Sequence, residues 1–128
     1  MAKTALDLTY DERSLYRPME AIERRRRLQA TELEERWKKA QRIAARAAAI
    51  LYKDYAASKV VLFGSAADRS RFTLFSDIDL AAWGIPPEKF FSAVAAVAEL
   101  DEIRVDLVDP ASCSESLLRA IEQEGRTL

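Results

Sequence analysis

Two aspartates one residue apart, Asp77 and Asp79, lie in the run Ser76-Asp77-Ile78-Asp79-Leu80-Ala81-Ala82-Trp83, and this spacing constrains the fold more than any other feature. Alternation of acidic and aliphatic residues predicts a strand with both carboxylates on one face and Ile78 and Leu80 on the other. Ahead of it a continuous apolar run, Val60 to Phe63, ends at Gly64-Ser65 and predicts a central strand closed by a turn. The stretch from Lys59 to Trp83 is therefore expected to form strand, Gly-Ser turn, polar loop and second strand. Two like charges on one face of a short strand repel unless a cation lies between them, and magnesium, which favours carboxylate oxygens, suits that place.

Composition narrows the chemistry further. The 128 residues contain no histidine, so His-based triads, His-ligated zinc and imidazole bases are excluded. Cys113 is the sole cysteine, which rules out an intrachain disulfide. Any reaction must rest on carboxylates, hydroxyls and cations. The length suits one domain with one core. No apolar run approaches the roughly 20 residues of a membrane span, and the N-terminus lacks a signal-peptide core, so a cytoplasmic protein with no membrane partner is expected.

Charge is unevenly spread. Residues 1–58 carry 13 lysines and arginines against 9 acidic residues, whereas residues 59–128 carry 7 against 12. A basic N-terminal arm (residues 1–57) and an acidic body (58–128) follow as the expected organisation. Thr9 and Glu12 form a capping-box pattern for a short first helix, and Pro18 is expected to break it and to open a new one. From Pro18 to Ala57 there is no Gly and no further Pro, and Leu33, Trp37, Ala40, Ala44, Ala47 and Leu51 line one helical face. Some 40 helical residues span about 60 Å, so the N-terminal half is expected to project, kink near Thr31 or meet another chain. Arg24 to Arg27 is either a solvated face with i,i+4 partners or a docking surface; a protein partner or self-association through this helix is favoured over nucleic acid, because only Trp37 offers an aromatic stacking surface.

Beyond the second strand, Gly84 to Pro87 predicts a turn and Pro87 to Leu100 a helix with Phe90, Phe91, Val94, Val97 and Ala98 on its apolar side. Ile103 to Val108 predicts a third strand in which Asp106 faces away from Val105 and Leu107. A last helix, Ser114 to Glu124, closes on Gly125, and Arg126 to Leu128 can begin a short final strand. Trp83 is expected in the core, with Phe72 and Phe75 anchoring the loop.

Three aspartates on neighbouring strands beside a Gly-Ser turn are the parts of a two-metal phosphoryl-transfer site, with ligands for cations about 4 Å apart and a backbone cradle for phosphates. This pattern resembles the nucleotidyltransferase superfamily of the DNA polymerase β type, and most closely its small bacterial branch, the minimal nucleotidyltransferases. The resemblance rests on Val60 to Phe63, Gly64-Ser65, the eleven residues 66–76, Asp77-Ile78-Asp79 and Asp106 on a later strand, and covers about residues 60–128.

The resemblance implies an α/β (α+β) fold, a small mixed sheet of the polymerase-β palm flanked by helices, with a long N-terminal helical arm. It implies two Mg2+ ions held by Asp77 and Asp79, with Asp106 completing one shell and helping to orient or deprotonate a hydroxyl acceptor. ATP would be gripped by Gly64 and Ser65, and Arg69 would contribute to phosphate binding. Members of this branch are commonly encoded beside a helical HEPN-type partner as toxin and antitoxin, which implies transfer of AMP to that partner. Many members continue Gly-Ser with Ala-Arg-Gly; here Asp68 stands in place of the Arg, with Arg69 displaced by one. That departure favours an alternative, a catalytically weak or inactive module of the same fold that neutralises its partner by docking.

Overall fold

The computed structural model describes residues 10–128, with side chains from residue 17 onward, so the capping box expected at Thr9 lies outside the described residues. The chain divides into two compact units, residues 1–34 and 35–128. What is described of the first is helical and belongs to α1 (Tyr10–Asp54). Pro18 does not open a new helix as expected but lies inside α1. An interior proline removes one backbone hydrogen bond and crowds the preceding turn, and here strong helix formers on its C-terminal side outweigh that penalty. Thr31 lies within α1, its hydroxyl donating to the Arg27 carbonyl one turn back at 3.1 Å. Met19, Ile22 and Leu28 are exposed.

The second unit is a four-stranded sheet clad by helices. Of the stripe foreseen on α1, Ala40, Ala44, Ala47 and Leu51 are buried, and Ile43 and Ala48 join them. Ile43 and Leu51 of α1 are among the largest fully buried side chains, with Val60, Leu62, Ile78, Leu80 and Val105 on the strands. The chain leaves α1 through Ala56, a non-glycine residue at φ 59°. That conformation is costly for a residue with a Cβ. The Ala57 amide, bonded back to the Leu51 carbonyl at 3.1 Å, helps hold it.

Strand β1 (Lys59–Phe63) is central, antiparallel to both β2 (Ile78–Trp83) and β4 (Arg126–Thr127). β3 (Val105–Val108) lies parallel to β2, giving the order β3-β2-β1-β4. A parallel pair needs a crossover, supplied by α2 (Pro87–Ala98), which starts on Pro87 as foreseen. α3 (Glu115–Glu124) is capped by Ser114, whose hydroxyl accepts from the Leu117 amide at 3.2 Å. Gly125 ends α3 at φ −76°, so its value lies in space: a Cβ there would meet the Ile121 carbonyl oxygen and Val61 Cγ1 at 2.3 Å. Tyr52 ties the end of the chain to the sheet, its hydroxyl accepting from the Val60 amide and donating to the Leu128 carbonyl, both at 2.9 Å.

The mixed sheet with its long N-terminal helix and flanking helices is the expected α+β fold. Two aromatic assignments need correction. Phe75 does not anchor the loop; it is 92% exposed, whereas Phe72 is buried. Phe91 is not on the buried side of α2 but 87% exposed, because Ala93 and Val97 define the face that packs. Among the described residues no helix is long and apolar enough to cross a membrane.

Candidate functional site

Strand register decides which residues meet. Asp79 is paired with Phe63 on one side and with Asp106 on the other, so the second and third aspartates lie level on adjacent strands. Side-chain alternation puts both on the same face, with Ala81, Val61 and Val108 further along it. Asp77, exposed, stands just ahead of β2, whose first residue Ile78 is held by its amide to the Arg104 carbonyl at 2.9 Å.

The Gly64 turn closes on the same point. Gly64 has φ +70°, and a Cβ on it would come within 2.5 Å of Asp79 Oδ2. Only glycine both adopts that conformation comfortably and leaves the carboxylate its space. The chain then tightens into a 3-10 turn, Gly64–Ala67, which brings Ser65 alongside. The Asp79 carboxyl is pushed above the ordinary aspartate range, first by burial and then by the charges of Asp106 and Asp77. Asp106 is engaged in the structure: its Oδ1 accepts from Arg104 Nε at 2.8 Å. Among the described residues no three acidic or thiol side chains gather closely enough to hold a metal ion as they stand. The donor chemistry nevertheless suits one: hard carboxylate oxygens, one of them half-buried and disfavoured as a bare anion, are the ligands a small divalent cation takes.

The loop that follows is more ordered than its polar sequence suggests. Asp68 folds it locally: Oδ1 accepts from the Ser70 amide at 3.0 Å and the Ser70 hydroxyl at 2.7 Å, while its carbonyl accepts from the amides of Arg71 and Phe72. The Ser70 hydroxyl bond is the main reason its carboxyl sits below the usual range. Asp68, the acid that departs from the expected Ala-Arg-Gly continuation, therefore serves as a turn cap. Arg71 is paired with Glu124 at 2.9 Å, and Arg69 lies over the Trp37 ring at 5.6 Å. At the far end the Thr73 amide donates to Ser76 Oγ at 2.9 Å, and the turn so formed displays Phe75 outward.

Three residues of α1 touch this loop: Trp37, which belongs to the expected apolar face, and Arg36 and Gln41, which lie outside that face. One signal was legible, since Gln41 is a polar residue four places from Trp37, beside the apolar stripe. Its target, 25 residues away, was not.

An antiparallel–parallel sheet with carboxylates level on neighbouring strands beside a glycine turn defines a palm-type nucleotidyl-transfer fold. A family model described as "Polymerase beta, Nucleotidyltransferase" matches residues 45–128, and the chain belongs to that family. Solved structures share the fold at low identity. One is a toxin–antitoxin assembly with AMP-PNP, at 24% identity and TM-score 0.52, covering 64% of this chain and 69% of that one. Another is the toxin–antitoxin MntA-HepT, at 22% and 0.51, covering 68% and 69%. A third is a tri-AMPylated Shewanella oneidensis HEPN toxin in complex with an MNT antitoxin, at 22% and 0.50, covering 69% and 70%. No curated protein matches the chain.

Proposed function

We propose that this chain is a magnesium-dependent nucleotidyltransferase that moves a nucleoside monophosphate, AMP from ATP, onto a hydroxyl of a HEPN-type helical protein, its toxin partner. The observation that carries the reading is the setting of Asp79: level with Asp106, pressed against the Gly64 turn, and disfavoured as a bare anion by burial and two neighbouring carboxylates. The fold-mates that contain AMP-PNP, or a HEPN toxin carrying AMP groups, support the choice of nucleotide and partner.

In this reading Asp77 and Asp79 would hold the cations, and Asp106, once released from Arg104, would be a further carboxylate ligand. Magnesium bound there would neutralise the phosphates and make the acceptor hydroxyl easier to deprotonate. The Gly64 and Ser65 backbone and the Ser65 hydroxyl hold the β,γ-phosphates, with Arg69 adding positive charge nearby. The acceptor oxygen bonds to the α-phosphorus as its bond to the bridging oxygen breaks, the proton passes to Asp106 or solvent, and pyrophosphate leaves. The protein contributes position and charge complementarity rather than a covalent step.

Incubation with labelled ATP, Mg2+ and the helical partner should label the partner, and the double variant Asp77→Ala, Asp79→Ala should not; equal labelling by the variant refutes the assignment. The Arg104–Asp106 pair favours a second reading, in which the site is latent and the chain neutralises its partner by docking alone. Calorimetry separates the two. Heat on mixing with Mg-ATP supports transfer, and silence both with and without the partner leaves only docking.

A further inference from the structure

The loop between β1 and β2 carries the Gly64-Ser65 turn at its start and Asp77 at its end; between them α3 holds it through the Arg71–Glu124 pair, and α1 grips it at three points. At the entry, Gln41 Nε2 donates to the Ala66 carbonyl at 2.8 Å, one residue past Ser65. Midway, the buried Phe72 ring meets Trp37 edge-on, centroids 5.3 Å apart at 78°. At the exit, Arg36 Nη2 donates to the Ser76 carbonyl at 2.8 Å, one residue before Asp77. All three grips lie within six consecutive residues of one helix, about 9 Å of its axis.

We infer that Arg36, Trp37 and Gln41 are positioning residues that brace the nucleotide loop from outside the strands, keeping the Ser65 turn and Asp77 at the spacing that nucleotide and cations require. The inference rests on the transferase reading above. Its physical basis is that a loop of this length is held only weakly by its ends, so that without side bonds the carboxylate and the phosphate cradle would sample many separations. Two of the bonds go to backbone carbonyls, so they fix the main chain whatever loop side chain is present. Gln41 also accepts from Arg126 Nη2, which joins the loop, α1 and the C-terminal strand in one hydrogen-bonded chain.

That shared contact supplies a selective test. Gln41→Glu removes the donor to Ala66 but keeps an acceptor for Arg126; Arg126→Ala does the reverse. Amide hydrogen exchange reads the brace without any ligand. In Gln41→Glu the hydrogen-bonded loop amides of Asp68, Phe72 and Ser76 should exchange about fivefold faster, as loss of one ordinary hydrogen bond allows, while β1 and β2 amides stay unchanged. Arg126→Ala should leave the loop amides as they are. The same Gln41→Glu change should weaken Mg-ATP binding about fivefold and raise KM for ATP with little change in kcat. Unchanged loop exchange in Gln41→Glu, or faster exchange spread equally through the strands, overturns the brace. Failure of the unaltered protein to bind Mg-ATP instead counts against the transferase reading, and the exchange data then decide the brace alone.

Discussion

The two faces of the sheet are built from the same three strands and differ in almost everything else. On one face Val60, Leu62, Ile78, Leu80, Val105 and Leu107 are all buried, an unbroken aliphatic layer. On the other, Phe63, Val61 and Ala81 pack with Ile121 of α3, but at one end that layer gives way to Asp79 and Asp106. Alternation along the strand allows a single six-residue segment, β2, to serve both. The aliphatic face carries the larger share of the strands' buried branched side chains, whose burial stabilises the fold. The carboxylate end gives some of that stability up, holding a half-buried acid that the folded state disfavours as an anion.

The largest expected effect tests the aliphatic face. Leu80→Ala should cost about 2 to 5 kcal/mol, a large fraction of a small domain's stability, measurable as a lowered denaturation midpoint. If transfer per folded molecule also collapsed at low temperature, the two faces would not be separable. Next comes Asp79→Asn, which should lower labelling of the partner by at least about a hundredfold while leaving the circular dichroism spectrum unchanged.

The same variant should move stability in the opposite direction. Because the folded chain holds the Asp79 proton more tightly than the unfolded chain does, ionising that group costs stability; the cost is absent below about pH 4 and complete above the raised folded value. Asp79→Asn should therefore melt higher than the unaltered protein at pH 7, with the gain fading as the pH falls toward 4. A lower melting temperature at pH 7 would show that the carboxylate stabilises rather than strains that face. Mg2+ should raise the melting temperature of the unaltered protein and leave Asp79→Asn nearly unmoved. Smallest is Phe75→Ser: the exposed ring supports no packing, so stability should stay within about 0.5 kcal/mol, and a larger loss would return Phe75 to the loop's core.

Much of this was legible from local pattern. The Asp77-Ile78-Asp79 alternation located β2 and its two-sidedness, Pro87 marked the start of α2, and the Ala40, Ala44, Ala47 and Leu51 spacing identified the packed side of α1. Where the pattern was ambiguous, tertiary contacts decided. Phe91 sits among residues with helical spacing, but a twelve-residue helix over one strand edge can bury only a narrow stripe, taken by Ala93 and Val97. Pro18 is a strong local breaker, yet it loses to the helix formers that follow it.

The sequence by itself determined that any chemistry must rest on carboxylates, hydroxyls and cations, since it has no histidine, and that Asp79 alternates with Ile78 and Leu80, although β2 begins at Ile78 and leaves Asp77 just outside the strand it was expected to share. These are statements about residue type and near neighbours, which periodicity encodes directly. Only the tertiary structure decided that Asp106 stands level with Asp79, that Asp68 caps a turn, and that Arg36 and Gln41 reach loop carbonyls 40 and 25 residues away. Such contacts depend on where the chain returns after a crossover or a loop, and strand register and helix docking set that through the packing of the whole core.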